Sequence, residues 1–292
     1  MRMEAKQHKG EALGSLKDVR LCQSGDAGVP GVWEWVREEA ERVAASEPQL
    51  RALLDDVIVK QPCLGTSLSE RLARKLARED MTRDELAPLL ARILSENEHL
   101  VESAARDLRA IVERDPACQS PLEALLFYKG FLAISTYRVS HQLWSSGRRE
   151  LALYFQSLAS EVFSVDIHPA ARIGCGILLD HATSFVVGET AIIEDNVSIL
   201  HEVTLGGTGK QSGDRHPIVR SGVLLGAGAK ILGRVDIGQG AKVGAGSVVL
   251  NDVAPHTTVA GVPAQVVGVS REESPAHEMD QSLVCRARSG DD

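Results

Sequence analysis

The sequence predicts an α+β protein with an α-helical domain over residues 32–164 and a parallel β-helix over residues 165–268. Two different periodicities in the placement of apolar residues indicate this division. In the first part, apolar residues recur three, four, seven and eight positions apart, which is the spacing of one helix face. In the second part, aliphatic residues recur every six positions, and this period fits neither an α-helix nor an ordinary β-strand.

The helical part contains several separate apolar stripes. One of them consists of Leu50, Leu53, Leu54, Val57 and Ile58. Prolines interrupt the stripes, and because proline breaks a helix interior, the region is predicted to form several helices. Ser120, followed by Pro121 and by Glu123, is typical of a helix start, with a capping hydroxyl, a first-turn proline and an acid at the third position.

The period of six is clearest in the last third of the chain. Its inward-facing positions are predicted to be Val219, Leu225, Ile231, Ile237, Val243 and Val249. A repeat of six suits a three-sided prism, in which each hexapeptide forms one short strand and one corner, and three hexapeptides form one coil. The frame is interrupted twice upstream, by two extra residues between Leu179 and Val187 and by a glycine-rich loop between Leu205 and Val219. These two irregularities are predicted to project residues out of the prism.

The remaining segments are polar and carry no apolar period. Residues 1–31 are predicted to be a flexible N-terminal extension, and residues 269–292 a flexible C-terminal tail.

No apolar run reaches the length of about 18 residues that a membrane span needs. The net charge of −8 argues against a nucleic-acid partner and against an anionic membrane surface, since both require a basic face.

The cysteines indicate the redox environment. There are five of them, which is an odd number, and they are widely spaced without a CxxC pair. A disulfide framework or a zinc ribbon needs paired spacing. The pattern therefore predicts reduced thiols and a cytoplasmic protein without a bound metal.

Several short motifs resemble one family closely. They are VDIHPAA (165–171), LDHAT (179–183), VGET (187–190), LGGTGK (205–210), GDRHP (213–217), GAGAKILG (226–233), GVPA (261–264), and, in the helical part, DPA (115–117) and KGF (129–131). With these motifs the chain resembles the serine O-acetyltransferases over residues 33–268. The resemblance implies a left-handed β-helix, which the spacing alone cannot assign. It also implies transfer of an acetyl group from acetyl-CoA to the hydroxyl of L-serine, giving O-acetyl-L-serine and CoA for cysteine synthesis.

The resemblance assigns the catalytic groups. A serine hydroxyl needs a base at neutral pH, and histidine, with an ordinary pKa of about 6.5, suits this role. The family pattern maps the base to His181 and the carboxylate that steadies it to Asp166. These two positions are separated by less than one full coil of three hexapeptides, so the spacing supports this pairing only in part.

The resemblance also assigns substrate contacts. It maps the ammonium partners of serine to Asp115 and Asp180, and the carboxylate partners to Arg215 and His216. For acetyl-CoA it maps the pantetheine groove to Ala227 and Ala245, which lie one full coil apart and should stack. Gly207 is a candidate amide donor to the tetrahedral oxyanion. Lys242 and Thr258 are candidates for the nucleotide end. No cofactor is expected besides acetyl-CoA as co-substrate.

The sequence leaves other functions open. His181 and His201 occupy equivalent positions in their hexapeptides and should stack, either as part of a metal site or simply as a wall of the pocket. A carbonic anhydrase of the γ type would need His181, His201 and His216 around one metal, and their spacing fits this poorly. Two further alternatives are a prism acetyltransferase for a sugar or another amino acid, and a non-catalytic assembly subunit.

The family pattern also predicts partners. It implies a homo-oligomer, either a trimer or a dimer of trimers, with active sites between neighbours. L-cysteine, which resembles the substrate, is expected to be a feedback inhibitor. O-acetylserine sulfhydrylase is a candidate partner, but it binds a terminal isoleucine in many members, and this sequence ends in Gly290-Asp291-Asp292.

Overall fold

A computed structural model describes residues 29–209, 212–270 and 272–283, and it contains a helical domain followed by a parallel β-helix. The helices of the first domain are α1 (Val29–Ser46), α2 (Arg51–Leu54), α3 (Leu64–Leu76), α4 (Arg83–Glu96), α5 (Glu98–Arg114), α6 (Pro121–Phe127), α7 (Lys129–Ser145) and α8 (Arg149–Phe163). A 3₁₀ turn (Pro48–Leu50) and a π-helical turn (Asp55–Val59) flank α2. The first helix begins three residues before the predicted boundary at 32, and residues 1–28 of the predicted extension lie outside the described residues.

The sequence signals at the helix ends explain the boundaries. The Ser120 hydroxyl accepts a hydrogen bond from the Glu123 amide at 3.4 Å, which confirms the predicted start of α6. Thr82 and Glu85 cap α4 reciprocally. Helix α5 ends at Arg114, because Asp115 precedes a proline and leaves the helical region. This ending places the Asp115 side chain at the domain junction.

The β-helix has three faces, which we call sheets A, B and C. Its strands are β1 (Val165–Ile167), β2 (Arg172–Ile173), β3 (Leu178–Leu179), β4 (Phe185–Val187), β5 (Ile192–Ile193), β6 (Ser198–Ile199), β7 (Thr204–Gly206), β8 (Ile218–Val219), β9 (Leu224–Leu225), β10 (Lys230–Leu232), β11 (Asp236–Ile237), β12 (Lys242–Val243), β13 (Val248–Val249), β14 (Thr257–Gly261) and β15 (Ala264–Val269). Sheet A has the order β1-β4-β7-β10-β13, sheet B the order β2-β5-β8-β11, and sheet C the order β3-β6-β9-β12-β14-β15. All neighbours are parallel except β14 and β15.

The strand register confirms the period of six and its two interruptions. Leu225 pairs with Val243, three hexapeptides farther along the chain, as one regular coil requires. Leu179 pairs with Ile199 across a slightly longer coil, because the two extra residues lie in between. Leu205 pairs with Ile231 across a still longer coil, which contains the glycine-rich loop. The six inward positions predicted between 219 and 249 are all buried. The left hand of the β-helix stays a prediction from the resemblance.

A buried ion pair of the helical domain also bonds to the backbone of the β-helix. The Asp107 carboxylate on α5 meets the Arg138 guanidinium on α7, and both side chains are almost fully buried. Asp107 Oδ1 also accepts from the Ile177 amide at 2.9 Å, while Arg138 Nη1 donates to the Gly174 carbonyl at 2.7 Å. Burial raises the pKa of Asp107, and Arg138 opposes that shift. The helical domain is therefore fastened to the corner that precedes β3.

The segment predicted to be a flexible tail is partly ordered against sheet C. A short helix, α9 (Pro275–Glu278), buries Ala276. The Ser198 hydroxyl donates to the Ala276 carbonyl at 2.7 Å, and the Ala276 amide donates to the Gly222 carbonyl at 3.2 Å. Sequence reasoning missed the packing of this segment because the segment is polar and no apolar period marks its few contacts. Residues 284–292 lie outside the described residues.

No helix in the described part of the chain is both long enough and apolar enough to cross a membrane.

Candidate active site

His181 projects from the first irregularity of the β-helix. It follows β3 at the corner between sheets C and A, and its side chain is 73% exposed. His181, Ala182 and Ser184 have φ angles of 58°, 60° and 59°, in the left-handed region that side-chain-bearing residues rarely adopt. The two extra residues create this tight loop, and the loop directs the imidazole away from the prism. Backbone strain of this kind is concentrated at functional sites.

The start of helix α7 holds the His181 loop. Lys129 Nζ donates to Thr183 Oγ1 at 2.6 Å. Gly130 lies so close to sheet C that a Cβ added there would be 1.9 Å from the Leu179 carbonyl oxygen. Sequence reasoning used the Lys-Gly-Phe motif only for the family resemblance. The structure shows that its first two residues contact the loop that carries His181 and the strand before it.

Two side chains lie beside the His181 imidazole. Asp180 Oδ2 is 3.5 Å from His181 Nε2. The His201 ring is 5.7 Å from that of His181 between centroids, edge to face, which confirms the predicted stacking. His201 Nδ1 is buried and has no hydrogen-bond partner in the described chain. His216 lies at a different corner, so a single chain does not bring the three histidines together.

Asp166 lies on the outer side of β1, exposed to solvent. Its Oδ1 accepts a hydrogen bond from Gln156 Nε2 on helix α8 at 2.7 Å. Within the described part of this chain, the carboxylate that lies beside His181 is that of Asp180. The pairing of Asp166 with His181 therefore stays a prediction.

A cavity of about 490 Å³ opens between the helical domain and the His181 loop. Its lining includes Asp115, Asp180, His181, Tyr128 and Lys129. The structure thus brings together three of the residues predicted for the site. Burial raises the pKa of Asp180, while the nearby His181 favours its ionised form. Two carboxylates that face one cavity suit a cationic group such as an ammonium.

Tyr128 is a residue of this cavity that sequence reasoning missed. Burial raises the pKa of its phenol, and the neighbouring Cys118 and Asp115 act in the same direction. It follows an apolar helix and precedes the Lys-Gly-Phe motif, so its position next to a motif was the only available signal.

The second irregularity, between β7 and β8, carries Arg215 and His216 at the corner between sheets A and B. Arg215 Nη2 forms an ion pair with Glu189 Oε2 at 2.7 Å. Its guanidinium lowers the pKa of Glu189. His216 is buried, and Thr190 Oγ1 lies 2.9 Å from its Nδ1. Glu189 and Thr190 are further residues that sequence reasoning did not assign, although they stand in the Val-Gly-Glu-Thr motif.

Gly207 belongs to the same corner. A Cβ added at Gly207 would lie 3.4 Å from His216 Nε2 and 3.5 Å from the Arg215 carbonyl oxygen. A single chain therefore presents two separate groups of predicted site residues. We call Asp115, Asp180, His181 and His201, which lie at or beside the C–A corner, the base group. We call Gly207, Arg215 and His216 at the A–B corner the arginine group.

The predicted groove for acetyl-CoA continues the column that His181 and His201 begin. The Gly228 amide donates to the His201 carbonyl at 2.9 Å, and the Gly246 amide donates to the Ala227 carbonyl at 2.7 Å. These bonds stack successive corners, so Ala227 and Ala245 lie below the two histidines. Ala227 is half-buried and Ala245 is exposed. The stacked corners therefore carry, in order along the prism, two histidines and then two alanines.

Lys242 and Thr258 are neighbours on sheet C, where they are paired in register on β12 and β14. Both are buried, and Lys242 Nζ lies 3.7 Å from Asp280 Oδ2 of the C-terminal segment. The Leu283 side chain lies over Gly244. In this structure the C-terminal segment therefore covers the part of sheet C that carries these two candidates.

A helical domain joined to a prism of hexapeptides, with an exposed histidine at a corner, defines the class of hexapeptide-repeat transferases. Residues 216–251 match the family model of the bacterial transferase hexapeptide with six repeats, and residues 32–136 match that of the serine acetyltransferase N-terminal domain. The chain is 51% identical to the serine acetyltransferase of Salmonella typhimurium over 250 residues, which are 86% of this chain and 92% of that protein. The chain belongs to the serine acetyltransferase family.

Solved structures agree with this assignment. A soybean serine acetyltransferase complexed with serine is 55% identical and has a TM-score of 0.80, covering 82% of this chain and 98% of its own. A serine acetyltransferase in complex with cysteine has 49% identity and a TM-score of 0.86, covering 87% and 99%. The Brucella abortus enzyme in complex with coenzyme A has 49% identity and a TM-score of 0.81, covering 82% and 96%.

Proposed function

We propose that this chain transfers the acetyl group of acetyl-CoA to the hydroxyl of L-serine, giving O-acetyl-L-serine and CoA. The observation that carries the proposal is the cavity between the two domains, where Asp115, Asp180 and His181 meet. It combines an exposed imidazole with two carboxylates, which are the groups that an amino alcohol requires. The family membership of the whole chain supports the same activity.

In the proposed reaction, His181 takes the proton from the serine hydroxyl while the oxygen attacks the thioester carbon. The carbon–oxygen bond forms and the carbon–sulfur bond breaks, so that the sulfur leaves with the bonding electron pair. The CoA thiolate then accepts the proton from the His181 imidazolium, and the base returns to its neutral form. No covalent acyl-enzyme is needed. A base held in place in this way contributes roughly 10²–10⁴-fold to the rate.

Charged groups orient the amino acid. Asp115 and Asp180 receive the ammonium in the cavity beside His181. Arg215 and His216 hold the carboxylate, since a guanidinium binds a carboxylate through two parallel hydrogen bonds. The Gly207 amide is directed to the oxyanion that develops on the thioester.

The acetyl-CoA arm runs along Ala245 and Ala227 toward the two histidines. The small side chains leave backbone amides within reach of the pantetheine. Lys242 and Thr258 lie farther along sheet C, on the nucleotide side. The C-terminal segment covers Lys242 and Thr258, and Asp280 in this segment forms an ion pair with the Lys242 ammonium. The segment therefore has to move before these two residues can contact the nucleotide.

We also propose that neighbouring copies of the chain complete each site. The base group and the arginine group lie at different corners of one prism, whereas a single serine has to reach both. A trimer, or a dimer of trimers, pairs the C–A corner of one copy with the A–B corner of the next.

Cysteine, which differs from serine in one atom, fits the same site as an inhibitor. A cytoplasmic location and an O-acetylserine sulfhydrylase partner remain predictions.

The decisive experiment measures thiol release from acetyl-CoA with L-serine, L-homoserine, L-threonine and a panel of sugars. Serine should give the highest kcat/KM, because the chain belongs to the serine acetyltransferase family. A preference for homoserine or a sugar would contradict the proposal and favour another acceptor. Absence of turnover with all of them would favour a non-catalytic role.

A further inference from the structure

A single hydroxyl group organises the arginine group. Thr190 Oγ1 accepts hydrogen bonds from the backbone amides of Arg215 at 3.0 Å and His216 at 3.2 Å. The same oxygen lies 2.9 Å from His216 Nδ1. Thr190 stands on the coil before the loop that carries both amides, and this loop belongs to the second irregularity. The hydroxyl therefore anchors one of the two parts of the prism that the hexapeptide repeat does not shape.

The hydrogen bonds identify the tautomer of His216. The Thr190 amide lies 3.2 Å from His216 Nδ1, and an amide N–H can only donate. Nδ1 must then be the acceptor in this contact. The hydroxyl already accepts two amide hydrogens, so its own hydrogen is free to point to Nδ1 as well. His216 is therefore neutral, with its ring proton on Nε2.

The packing around the ring prevents rotation. A Cβ at Gly188 would lie 2.0 Å from His216 Cδ2 and 2.1 Å from Nε2, and a Cβ at Gly207 would lie 3.4 Å from Nε2. Only glycine at position 188 leaves room for the imidazole. With Nδ1 held by Thr190, the Nε2–H edge lies over these two glycines.

The surrounding charges favour the neutral ring. Burial and the Arg215 and Arg234 guanidinium groups lower the pKa of His216, and the neighbouring His168 acts in the same direction. Glu189 opposes them, and its carboxylate forms an ion pair with Arg215. A neutral imidazole next to Arg215 presents one N–H donor beside a cation, which suits a carboxylate.

We propose that Thr190 is a positioning residue that presents His216 as an Nε2–H donor, so that His216 and Arg215 together select a substrate bearing a carboxylate. The inference rests on the proposed function, because the carboxylate is that of the amino-acid substrate. It assigns specificity to a residue that need not touch the substrate itself. Thr190 acts by fixing the tautomer and the position of the His216 imidazole.

Ethanolamine provides the specific probe, since it is serine without the carboxylate. The discrimination factor is the ratio of kcat/KM for serine to kcat/KM for ethanolamine. The substitution Thr190→Val keeps the side-chain shape, but it leaves the Arg215 and His216 amides without their acceptor. It also removes the hydroxyl from His216 Nδ1, which keeps only the Thr190 amide. This change should lower the discrimination factor roughly tenfold to a hundredfold, with the KM for acetyl-CoA unchanged. Thr190→Ser retains the oxygen and should recover most of the discrimination.

Two outcomes would overturn the inference. One is a Val variant that assembles normally and discriminates like the wild type. The other is an equal loss for both substrates, which would indicate general disruption. If the Val variant does not assemble, His216→Gln and His216→Asn decide instead. A Gln amide reaches the Nε2 position and should discriminate better than Asn, whose amide reaches Nδ1; the reverse order would contradict the inference. A wild type that fails to acetylate serine would contradict the proposed function instead.

Discussion

At the scale of the residue, the position of His181 depends on an unfavourable backbone. Three of the four residues from 181 to 184 have positive φ angles without being glycine, and each costs about 1 kcal/mol or more. The Ser184 amide donates to the Ser164 carbonyl at 2.7 Å, and the Glu202 amide donates to the Thr183 carbonyl at the same distance. These hydrogen bonds, together with the one from Lys129 Nζ to Thr183 Oγ1, offset the strain of the backbone. The imidazole is consequently exposed but held in place.

Replacing His181→Ala should lower kcat by roughly 10²–10⁴-fold, because the hydroxyl of serine loses its base. Because the His181 side chain is 73% exposed in the chain, its removal should leave the fold intact, and we expect the size of the oligomer in light scattering to be unchanged. The matched control is His99→Ala, which removes another exposed histidine from helix α5. If the His181 variant keeps more than a tenth of the wild-type kcat, another group is the base.

At the scale of the element, helix α7 aligns the helical domain with the prism. Its first turn contacts β3 at Gly130, and its Arg138 fastens the preceding corner through Gly174. Asp115 at the end of α5 is held by the same junction, since Asp107 on α5 pairs with Arg138. The two carboxylates and the imidazole of the base group therefore come from elements that a single buried ion pair connects.

Replacing Gly130→Ala should displace α7 from β3, because the added methyl group would lie 1.9 Å from a backbone oxygen that cannot move away alone. A shift of about 1 Å at a site can cost up to 10²-fold in rate. The expected result is a fall in kcat/KM for serine of roughly tenfold or more. Gly31→Ala is the control, since a Cβ at Gly31 would meet nothing within 4 Å. Equal activity of both variants would show that the α7 contact does not position the base group.

At the scale of the whole molecule, the two groups of site residues lie at different corners of one prism. The base group follows sheet C, and the arginine group follows sheet A. Each chain is proposed to contribute one half to each of two sites. This arrangement predicts that defective chains can complement each other.

Chains with His181→Ala and chains with Arg215→Ala should each be inactive alone. When they are co-expressed and assemble at random, one site in about four combines an intact base group with an intact arginine group. Tandem purification through two tags keeps only hybrids, so the thiol-release assay should give about a third of the wild-type activity for a trimer and about a quarter for a dimer of trimers. Hybrids that stay inactive would place both groups of each site in one chain.

The sequence by itself determined the division into helices and prism, the length of each coil and the location of both irregularities. These features follow from a local rule, since the period of apolar residues states which side chains face inward. The period of six also predicted which residues stack at equivalent positions of the coils, such as His181 and His201. The tertiary structure alone decided the contacts of the segments outside the repeat. Thr190 meets His216 in the loop of the second irregularity, and the C-terminal segment lies on sheet C through a few separate contacts. The period describes only the regular coils, so it carries no information about where a segment outside the repeat packs.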